Sequence, residues 1–231
     1  MGKTIGIIGA MDSEVQRLKE FISVDETVTI SGIDYVCGQF EGKKVIIAKS
    51  GVGKVFAGIC AQTMIITFKP DMLINVGVAG SLSKGLDIAD VAIANNVVQY
   101  DMDTTAVGDP LGMISGINII YLPCDQSIVD TLSECANELG IKSKVGTIAS
   151  GDSFVNSREK KKYIVDNFSA ISCEMEGAAI GQVCYVNKVP FCVIRAISDN
   201  GDENSENDYF VSMTKASGVA MDLTEKYLQK L

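Results

Sequence analysis

The sequence predicts a single α/β domain with a central mixed β-sheet flanked by helices. Short runs rich in β-branched residues alternate with helical patterns from one end of the chain to the other, and this alternation is typical of α/β folds. Of the 231 residues, 47% are hydrophobic and 21% are charged, which is enough apolar material for one substantial core. No repeat or Pro/Gly/Ser-rich linker divides the chain, so we expect residues 1–231 to form one domain.

The first third of the chain predicts a strand, a helix, a meander and a second helix. Residues 3–9 (KTIGIIG) form a continuous apolar run of the buried-strand type. Apolar residues recur at helical spacing over 11–22, with Asp and Ser available as caps. Residues 27–51 predict three strands separated by two glycine-containing turns, and 53–68 predict a helix.

The remaining two thirds continue the alternation. The segment 71–82 is predicted to begin as a strand and to run into a glycine-rich turn at 77–81, because glycine is common in turns. After it we predict a strand at 90–102, a loop near 105–117, a helix at 125–139, a strand at 143–150, a helix at 157–167, a short strand at 170–173, a helix at 176–187, a strand at 191–197 and a long helix at about 208–230.

The most informative number in the composition is zero, the count of histidines. The absence of histidine excludes Ser-His-Asp triads, Cys-His dyads and histidine-ligated metal sites. Any proton transfer near neutral pH must therefore use carboxylates, thiols, amines or tyrosines whose pKa values are tuned by their surroundings.

Charge and cysteine content exclude further classes of function. The chain has 20 basic and 29 acidic residues, for a net charge of −9, so a basic footprint for nucleic acid is missing and no nucleic-acid partner is expected. The one basic cluster, Lys160-Lys161-Lys162, is expected to be a solvated helix face. Seven scattered cysteines without a CxxC motif predict buried reduced thiols and no metal site.

No stretch of the sequence resembles a membrane span or a signal peptide. The apolar runs are too short to cross a bilayer, and the N-terminal residues pass directly into a strand-like run. We therefore expect a cytoplasmic protein with no membrane partner.

Six segments are candidates for a ligand site. In open α/β sheets, sites form in the loops beyond the carboxyl ends of the strands. That rule selects residues 10–14, 50–54, 77–81, 150–155 and 198–200, and a sixth segment, 173–179, lies where a short strand enters a helix.

Two of these segments are rich in glycine but match no phosphate-binding motif. SGVGKV at 50–55 lacks the length of a P-loop, and Val55 stands where Ser or Thr would hold magnesium. GVAGS at 77–81 is not GxGxxG. Each segment either lets backbone amides approach a ligand or is an ordinary turn.

The carboxylates in the candidate loops have alternative interpretations. Glu174 and Glu176 flank Met175; they would share one face of an extended backbone, whereas a helix start would separate them. They could be acids favoured by a helix N-terminus, or buried groups that need a partner or ligand. Asp199 directly follows an apolar strand and could be a helix cap or a catalytic acid, and Glu14 lies one turn into the first helix.

Seven motifs in the same order resemble one enzyme family. They are GIIGAMDSEV, SGVGKV, NVGVAGSL, YDMDTTA, SGDSFV, CEMEGAAI and VIRAISD, and they are similar to those of the 5′-methylthioadenosine/S-adenosylhomocysteine nucleosidases over about residues 3–230. The resemblance implies a nucleoside phosphorylase-like fold, a homodimer, and cleavage by water of the N-glycosidic bond of a small-molecule adenine thionucleoside. It implies neither metal nor cofactor.

The resemblance also implies roles for individual residues. Asp199 would be the acid that protonates adenine N7, and Glu14 the base that polarises the attacking water. Glu176 would bind the ribose hydroxyls and Met175 would pack on the sugar. Residues that would complete the substrate pocket are Phe154, which would stack on adenine, Val155, whose backbone would read the adenine edge, Gly80, Met11, Val78, Ser198 and Tyr209. Either Tyr209 or Phe210 could cover the ligand.

Three positions depart from the commoner family pattern. Val78 stands where serine is frequent, Asp101 replaces the more usual histidine, and Val107 stands where an aromatic residue often reaches the 5′ group bound by the neighbouring subunit. The departures bear on substrate preference more than on the class of reaction.

Three alternative functions remain open. A purine nucleoside phosphorylase needs a pocket for a phosphate dianion, which normally contains several arginines; this chain has only Arg17, Arg158 and Arg195, and only Arg195 is near a predicted site loop. A related hydrolase could act on 5′-deoxyadenosine or an aminofutalosine-type nucleoside. A nucleoside sensor would keep the pocket but not the turnover.

Overall fold

The computed structural model describes residues 2–231, so Met1 of the predicted domain lies outside the described residues. The strands are β1 (Thr4–Gly9), β2 (Ser23–Ile30), β3 (Ile33–Phe40), β4 (Lys43–Lys49), β5 (Met72–Ser81), β6 (Val91–Gln99), β7 (Leu122–Pro123), β8 (Ser143–Ser150), β9 (Ser172–Glu174) and β10 (Phe191–Asp199). The helices are α1 (Asp12–Phe21), α2 (Lys54–Phe68), α3 (Gln126–Glu138), α4 (Arg158–Phe168), α5 (Gly177–Asn187) and α6 (Ser205–Lys230), with a single 3₁₀ turn at Thr105–Val107.

All ten strands belong to one mixed sheet, and half of that sheet closes on itself. Its strand order is β10-β6-β8-β9-β5-β1-β4-β3-β2, with β7 paired to β6 and β10 paired to β5 as well as β6. Strands β5, β10, β6, β8 and β9 therefore form a closed ring, and β1, β4, β3 and β2 extend outward from β5. Because β5 runs parallel to both β1 and β10, the carboxyl ends of these three strands meet at one edge.

The buried core explains why the central strands form. Every residue of β10 is buried, and so is every residue of β1 after the first, as expected of continuous apolar runs covered on both faces. Helices α1 and α6 contact each other, α6 also packs against β10 and β5, and α2 packs against α5. The predicted α/β class, a mixed sheet flanked by helices, is confirmed.

Several element boundaries differ from the prediction. Strand β2 begins at Ser23, four residues before the predicted start at residue 27. The prediction missed this part because the first five residues of β2 are exposed at the sheet edge and show no apolar alternation. Helix α6 begins at Ser205, three residues before 208, after a turn in which the Asp202 N–H donates to Ser205 Oγ (2.7 Å). The two-residue strand β7 is too short to produce a sequence pattern.

The lysine cluster is only partly the solvated face that was predicted. Lys162 pairs with Asp166 on the surface. Lys161 Nζ, in contrast, donates to the carbonyls of Ser81 (2.8 Å) and Asn200 (2.6 Å). Lys161 therefore connects α4 to the ends of β5 and β10, a role that a run of three lysines does not predict.

Two whole-chain expectations can be compared with the structure. All seven cysteines are free and buried. Over residues 2–231, none of the helices combines the length and the apolar character that a bilayer crossing requires.

Candidate active site

One cavity of about 380 Å³ lies at the edge where β1, β5 and β10 end. The eleven residues expected at the site all lie in its wall: Met11, Glu14, Val78, Gly80, Phe154, Val155, Met175, Glu176, Ser198, Asp199 and Tyr209. The wall also contains Phe210, which was predicted as the alternative to Tyr209. Seven further wall residues were not predicted to contact a ligand: Ala10, Val52, Ala79, Ser153, Cys173, Glu174 and Glu206. Of these seven, all except Glu206 lie in the segments that were predicted as candidate ligand loops.

Glu14 is a buried carboxylate held by three backbone N–H groups. Its Oε2 accepts from Ala10 (2.7 Å) and Met11 (3.0 Å), and its Oε1 accepts from Val78 (3.0 Å). Burial raises the pKa of Glu14, while the charge of Arg195 and the backbone N–H groups oppose that shift. A carboxylate has about four acceptor positions, so one on Oε1 is left for a water molecule.

Asp199 is buried at the end of β10, where the sheet register is irregular. Its Oδ1 accepts from the Gly201 N–H (2.9 Å) and its Oδ2 from the Ser198 hydroxyl (2.9 Å). Burial raises the pKa of Asp199, and the hydrogen bonds oppose the rise. Gly80, its partner on strand β5, leaves room for this carboxylate, since a Cβ on Gly80 would lie 2.9 Å from Asp199 Oδ1.

Glu174 and Glu176 have different surroundings although both contact Arg195. Glu174 Oε2 accepts from Arg195 Nη2, from the Glu176 N–H (3.0 Å) and from the Gly177 N–H (2.7 Å), and its Oε1 accepts from the Ser150 hydroxyl. Glu174 is thus the counter-ion of Arg195 and also the acid that binds the start of α5, which joins two interpretations that the sequence left apart.

Glu176 is less firmly paired. Its Oε2 lies 3.6 Å from Arg195 Nη2, and its Oε1 accepts from the Gly53 N–H (2.9 Å). Burial, followed by the negative charge of Glu174, raises the pKa of Glu176 to about 7. A carboxylate in this condition gains from a ligand that offers hydroxyl donors.

Arg195 is the buried cation among these carboxylates, a role that its isolated position in an apolar strand does not predict. It is 1% exposed, and its Nη2 also donates to Asn75 Oδ1 (2.6 Å). Gly77 lies in strand β5 and not in the predicted turn. A side chain there would collide with the site, because a Cβ would be 2.5 Å from both Arg195 Nη1 and Glu14 Oε1. The glycines of 77–81 thus make room for side chains, and the turn prediction is wrong.

Aromatic residues form the other side of the cavity. The rings of Phe154 and Tyr209 meet edge to face with centroids 5.7 Å apart, and the Tyr209 hydroxyl donates to Met11 Sδ (3.3 Å). Phe210 is 73% exposed and stands at the mouth. Tyr209 is therefore the aromatic residue that covers Phe154, and Phe210 extends the rim.

The three departures from the family pattern have separate locations. The Val78 side chain lies in the cavity wall while its N–H serves Glu14. Asp101 lies outside the wall and pairs with Lys54 (2.6 Å). Val107 is 82% exposed and is not among the residues of the cavity wall.

Comparison with known proteins gives consistent matches along the chain. Residues 4–229 match the Phosphorylase superfamily. The chain is 42% identical to the 5′-methylthioadenosine/S-adenosylhomocysteine nucleosidase of Shewanella loihica, over 92% of this chain and 93% of that protein. It is 37% identical to the aminodeoxyfutalosine nucleosidase of Helicobacter pylori, over the full length of both.

A solved structure extends the match to three dimensions. The nucleosidase of Helicobacter pylori, crystallised as a mutant with 5′-methylthioadenosine in its active site, superposes with a TM-score of 0.97 at 37% identity and covers 100% of both chains. With the shared fold, the matched length and the level of identity in agreement, the chain belongs to the Phosphorylase superfamily and, within it, to the 5′-methylthioadenosine/S-adenosylhomocysteine nucleosidases.

Proposed function

We propose that the protein hydrolyses the N-glycosidic bond of 5′-methylthioadenosine and S-adenosylhomocysteine, releasing adenine and the 5-thioribose product. The observation that carries the proposal is the meeting of three buried carboxylates, Glu14, Glu176 and Asp199, in the wall of one cavity. Its relatives include a nucleosidase named for these two substrates and a structure with 5′-methylthioadenosine in the active site.

The geometry supports a different role for each of the three carboxylates. Protonated Asp199 gives its proton to adenine N7 as the C1′–N9 bond breaks and the bonding electrons leave with the base. A water molecule forms the new bond to C1′ and passes a proton to Glu14. Glu176 accepts hydrogen bonds from the ribose hydroxyls, and its negative charge favours the positive charge that develops on the sugar.

Water is a better candidate nucleophile than phosphate in this site. A phosphate dianion needs free cationic donors. Arg195 contacts carboxylates of the cavity wall, and its guanidinium is already paired with Glu174, close to Glu176 and bonded to Asn75. Three carboxylates around a single paired arginine would repel an anion rather than bind it.

A second candidate substrate is an aminodeoxyfutalosine-type nucleoside. The observation that favours it is the full-length relative named aminodeoxyfutalosine nucleosidase. The chemistry at C1′ and adenine would be the same, so the two candidates differ only in the group at the 5′ position.

We further propose that residues 1–231 act as one cytoplasmic nucleosidase domain that forms a homodimer through α2 and α5. Four of their apolar side chains are strongly exposed: Val55 (72%), Phe56 (53%), Ile66 (61%) and Val186 (52%). Since α2 also buries apolar residues on its inner side, it is apolar all round, as helices covered on both sides are. An exposed patch of this kind is typical of a protein–protein interface.

Adenine release from a small panel of nucleosides tests the proposal. The panel contains 5′-methylthioadenosine, S-adenosylhomocysteine, 5′-deoxyadenosine, inosine and an aminodeoxyfutalosine-type nucleoside, each with and without phosphate. We expect phosphate-independent release from the two thionucleosides. Dependence on phosphate with a ribose-1-phosphate product would identify a phosphorylase, and binding without release would identify a sensor.

A further inference from the structure

A group of hydrogen bonds outside the cavity joins three separate segments of the chain. Asp101 Oδ1 accepts from Lys54 Nζ (2.6 Å) and Asp101 Oδ2 accepts from the Asp152 N–H (3.0 Å). Asp152 Oδ1 in turn accepts from the Lys54 N–H (2.7 Å). Asp101, Lys54 and Asp152 therefore close a cycle, which we call the Asp101 clamp.

The clamp adjoins the site on its ribose side. Gly53, the residue before Lys54, donates its N–H to Glu176 Oε1 (2.9 Å). This N–H is the backbone donor that opposes the rise in the pKa of Glu176. Gly53 has a φ of +100°, and a Cβ on it would lie 3.1 Å from Asp152 Oδ1, so the clamp and the glycine fit together closely.

The clamp also adjoins the site on its adenine side. Phe154 and Val155 follow Asp152 by two and three residues, and both lie in the cavity wall. The loop at 50–53 has a second attachment, because the Gly51 N–H donates to the Ala10 carbonyl (3.2 Å) beside the backbone that holds Glu14. The segment SGVGKV thus links the surroundings of Glu176 and Glu14, although it matches no known phosphate loop.

We propose that Asp101 is a positioning residue that, through Lys54 and Asp152, holds the Gly53 N–H against Glu176 and so sets the affinity of the site for the ribose hydroxyls. The proposal rests on the proposed function, in which Glu176 binds those hydroxyls. Asp101 touches no substrate in this role, since it lies outside the cavity wall.

The expected effect is on binding rather than on folding. The Lys54 and Asp101 side chains are 19% and 32% exposed, and partly exposed ion pairs add little stability. Losing the alignment of one hydrogen bond weakens binding by about three- to tenfold. Because Glu14 and Asp199 keep their own hydrogen bonds, kcat is expected to stay within about twofold.

The test compares Asp101→Ala with Asp103→Ala. Asp103 lies in the same loop and carries the same charge, but its carboxylate accepts only from the N–H and hydroxyl of Thr105. For each variant we would measure kcat and KM with 5′-methylthioadenosine, and the competitive Ki of its 2′,3′-dideoxy analogue, which lacks the hydroxyls that Glu176 binds. Amide hydrogen exchange of residues 50–54 and 151–155 would be followed in the absence of ligand.

We expect Asp101→Ala to raise KM by about three- to tenfold, to leave the Ki of the dideoxy analogue within about twofold, and to speed amide exchange in both segments. Asp103→Ala should change none of these. Equal losses for the two nucleosides, an unchanged KM or unchanged exchange would each overturn the proposal. If the wild-type protein released no adenine, the proposed function would fail, and the exchange comparison would still decide whether Asp101 holds the two segments.

Discussion

At the scale of single residues, the two proposed catalytic carboxylates are buried alike but are hydrogen-bonded differently. Glu14 accepts from three backbone N–H groups, which can only donate and therefore favour the ionised form. Asp199 accepts from one N–H and one hydroxyl, and a hydroxyl can turn to accept a proton as well. These surroundings suit Glu14 to the role of base and Asp199 to the role of acid.

Replacing either group should abolish most of the activity. We expect Asp199→Asn and Glu14→Gln each to lower kcat/KM by at least about 10²-fold, the usual contribution of a general acid or base. The measurement is adenine release from 5′-methylthioadenosine. Asp166→Asn, which removes an exposed carboxylate paired with Lys162, is the matched control, and near-normal turnover in either site variant would contradict the assignment.

The dependence of kcat/KM on pH should show two limbs that come from carboxylates. The rate falls as pH rises through the raised pKa of Asp199, because the acid loses its proton. It falls as pH drops through the raised pKa values of Glu14 and Glu176, because the base gains a proton and the ribose site loses its negative charge. Both limbs are expected above the pH at which ordinary carboxylates titrate, about 4. Asp199→Asn should lose the alkaline limb, and a profile that kept this limb would argue against Asp199.

Glu176 should make the ligand-free protein less stable as pH rises. Its pKa is raised from 4.5 to about 7, so the folded state is favoured when the group is protonated, and that contribution is lost between the two values. At pH 8.5, Glu176→Gln is therefore expected to raise the free energy of unfolding by on the order of 1–3 kcal/mol, and with it the Tm. At pH 4.5 the substitution should change the Tm little. Thermal unfolding at both pH values checks this; an equal shift at the two would contradict it.

Sequence reasoning found these carboxylates but not the group between them. Glu14, Glu176 and Asp199 occupy recognisable motifs beside predicted strand ends. The role of Arg195 depends on partners at Asn75 and Glu174, which are far apart in the chain and adjacent only in the sheet. A lone arginine in an apolar strand carries no local sign of such partners.

At the scale of elements, β5 shows how a strand can be shaped by its neighbours. Gly77 and Gly80 weaken a strand, because glycine lacks a side chain to pack and loses more entropy on folding. They are tolerated because the space beside them is filled by Arg195, Glu14 and Asp199. Glycine spacing alone cannot distinguish such a close approach from a turn, and for that reason the sequence misplaced the end of this strand.

Adding one methyl group at Gly77 should disturb the site more than the fold around it. In Gly77→Ala the new Cβ would meet Arg195 Nη1 and Glu14 Oε1 at 2.5 Å, so we expect kcat/KM to fall at least about tenfold and Tm to drop, as overpacking costs about 1–3 kcal/mol. Gly218→Ala is the control, since a Cβ on this α6 glycine meets nothing within 4 Å and should stabilise the helix by about 0.5–1 kcal/mol. Equal behaviour of the two variants in assays of adenine release would refute the argument.

At the scale of the whole molecule, the alternation of strands and helices was enough to predict the class of the fold. The pairing of β10 with both β5 and β6 was not predictable, because apolar runs give no register and no neighbour order. The proposed interface between subunits includes Val55, which directly follows Lys54 of the Asp101 clamp.

A charge placed on that face should separate the subunits. We expect Val55→Glu to shift the protein from dimer towards monomer, because burying an unpaired carboxylate at an apolar interface is costly. Analytical ultracentrifugation over a range of protein concentrations measures the change. Val24→Glu, at a residue of similar size that is 51% exposed on β2, should leave the association unchanged; a Val55→Glu variant that remained dimeric would exclude this face.

The closed ring of β5, β10, β6, β8 and β9 also sets the order in which the site can be assembled during folding. Until residues 191–199 are synthesised, β5 and β6 are connected only through β9 and β8, and the ring stays open. The ring depends on contacts between distant parts of the chain, which form slowly because the entropy of long loops must be lost first. Asp199 therefore reaches Glu14 and Glu176 only when the last strand inserts, so the capacity for catalysis is acquired late, in the step that completes the sheet.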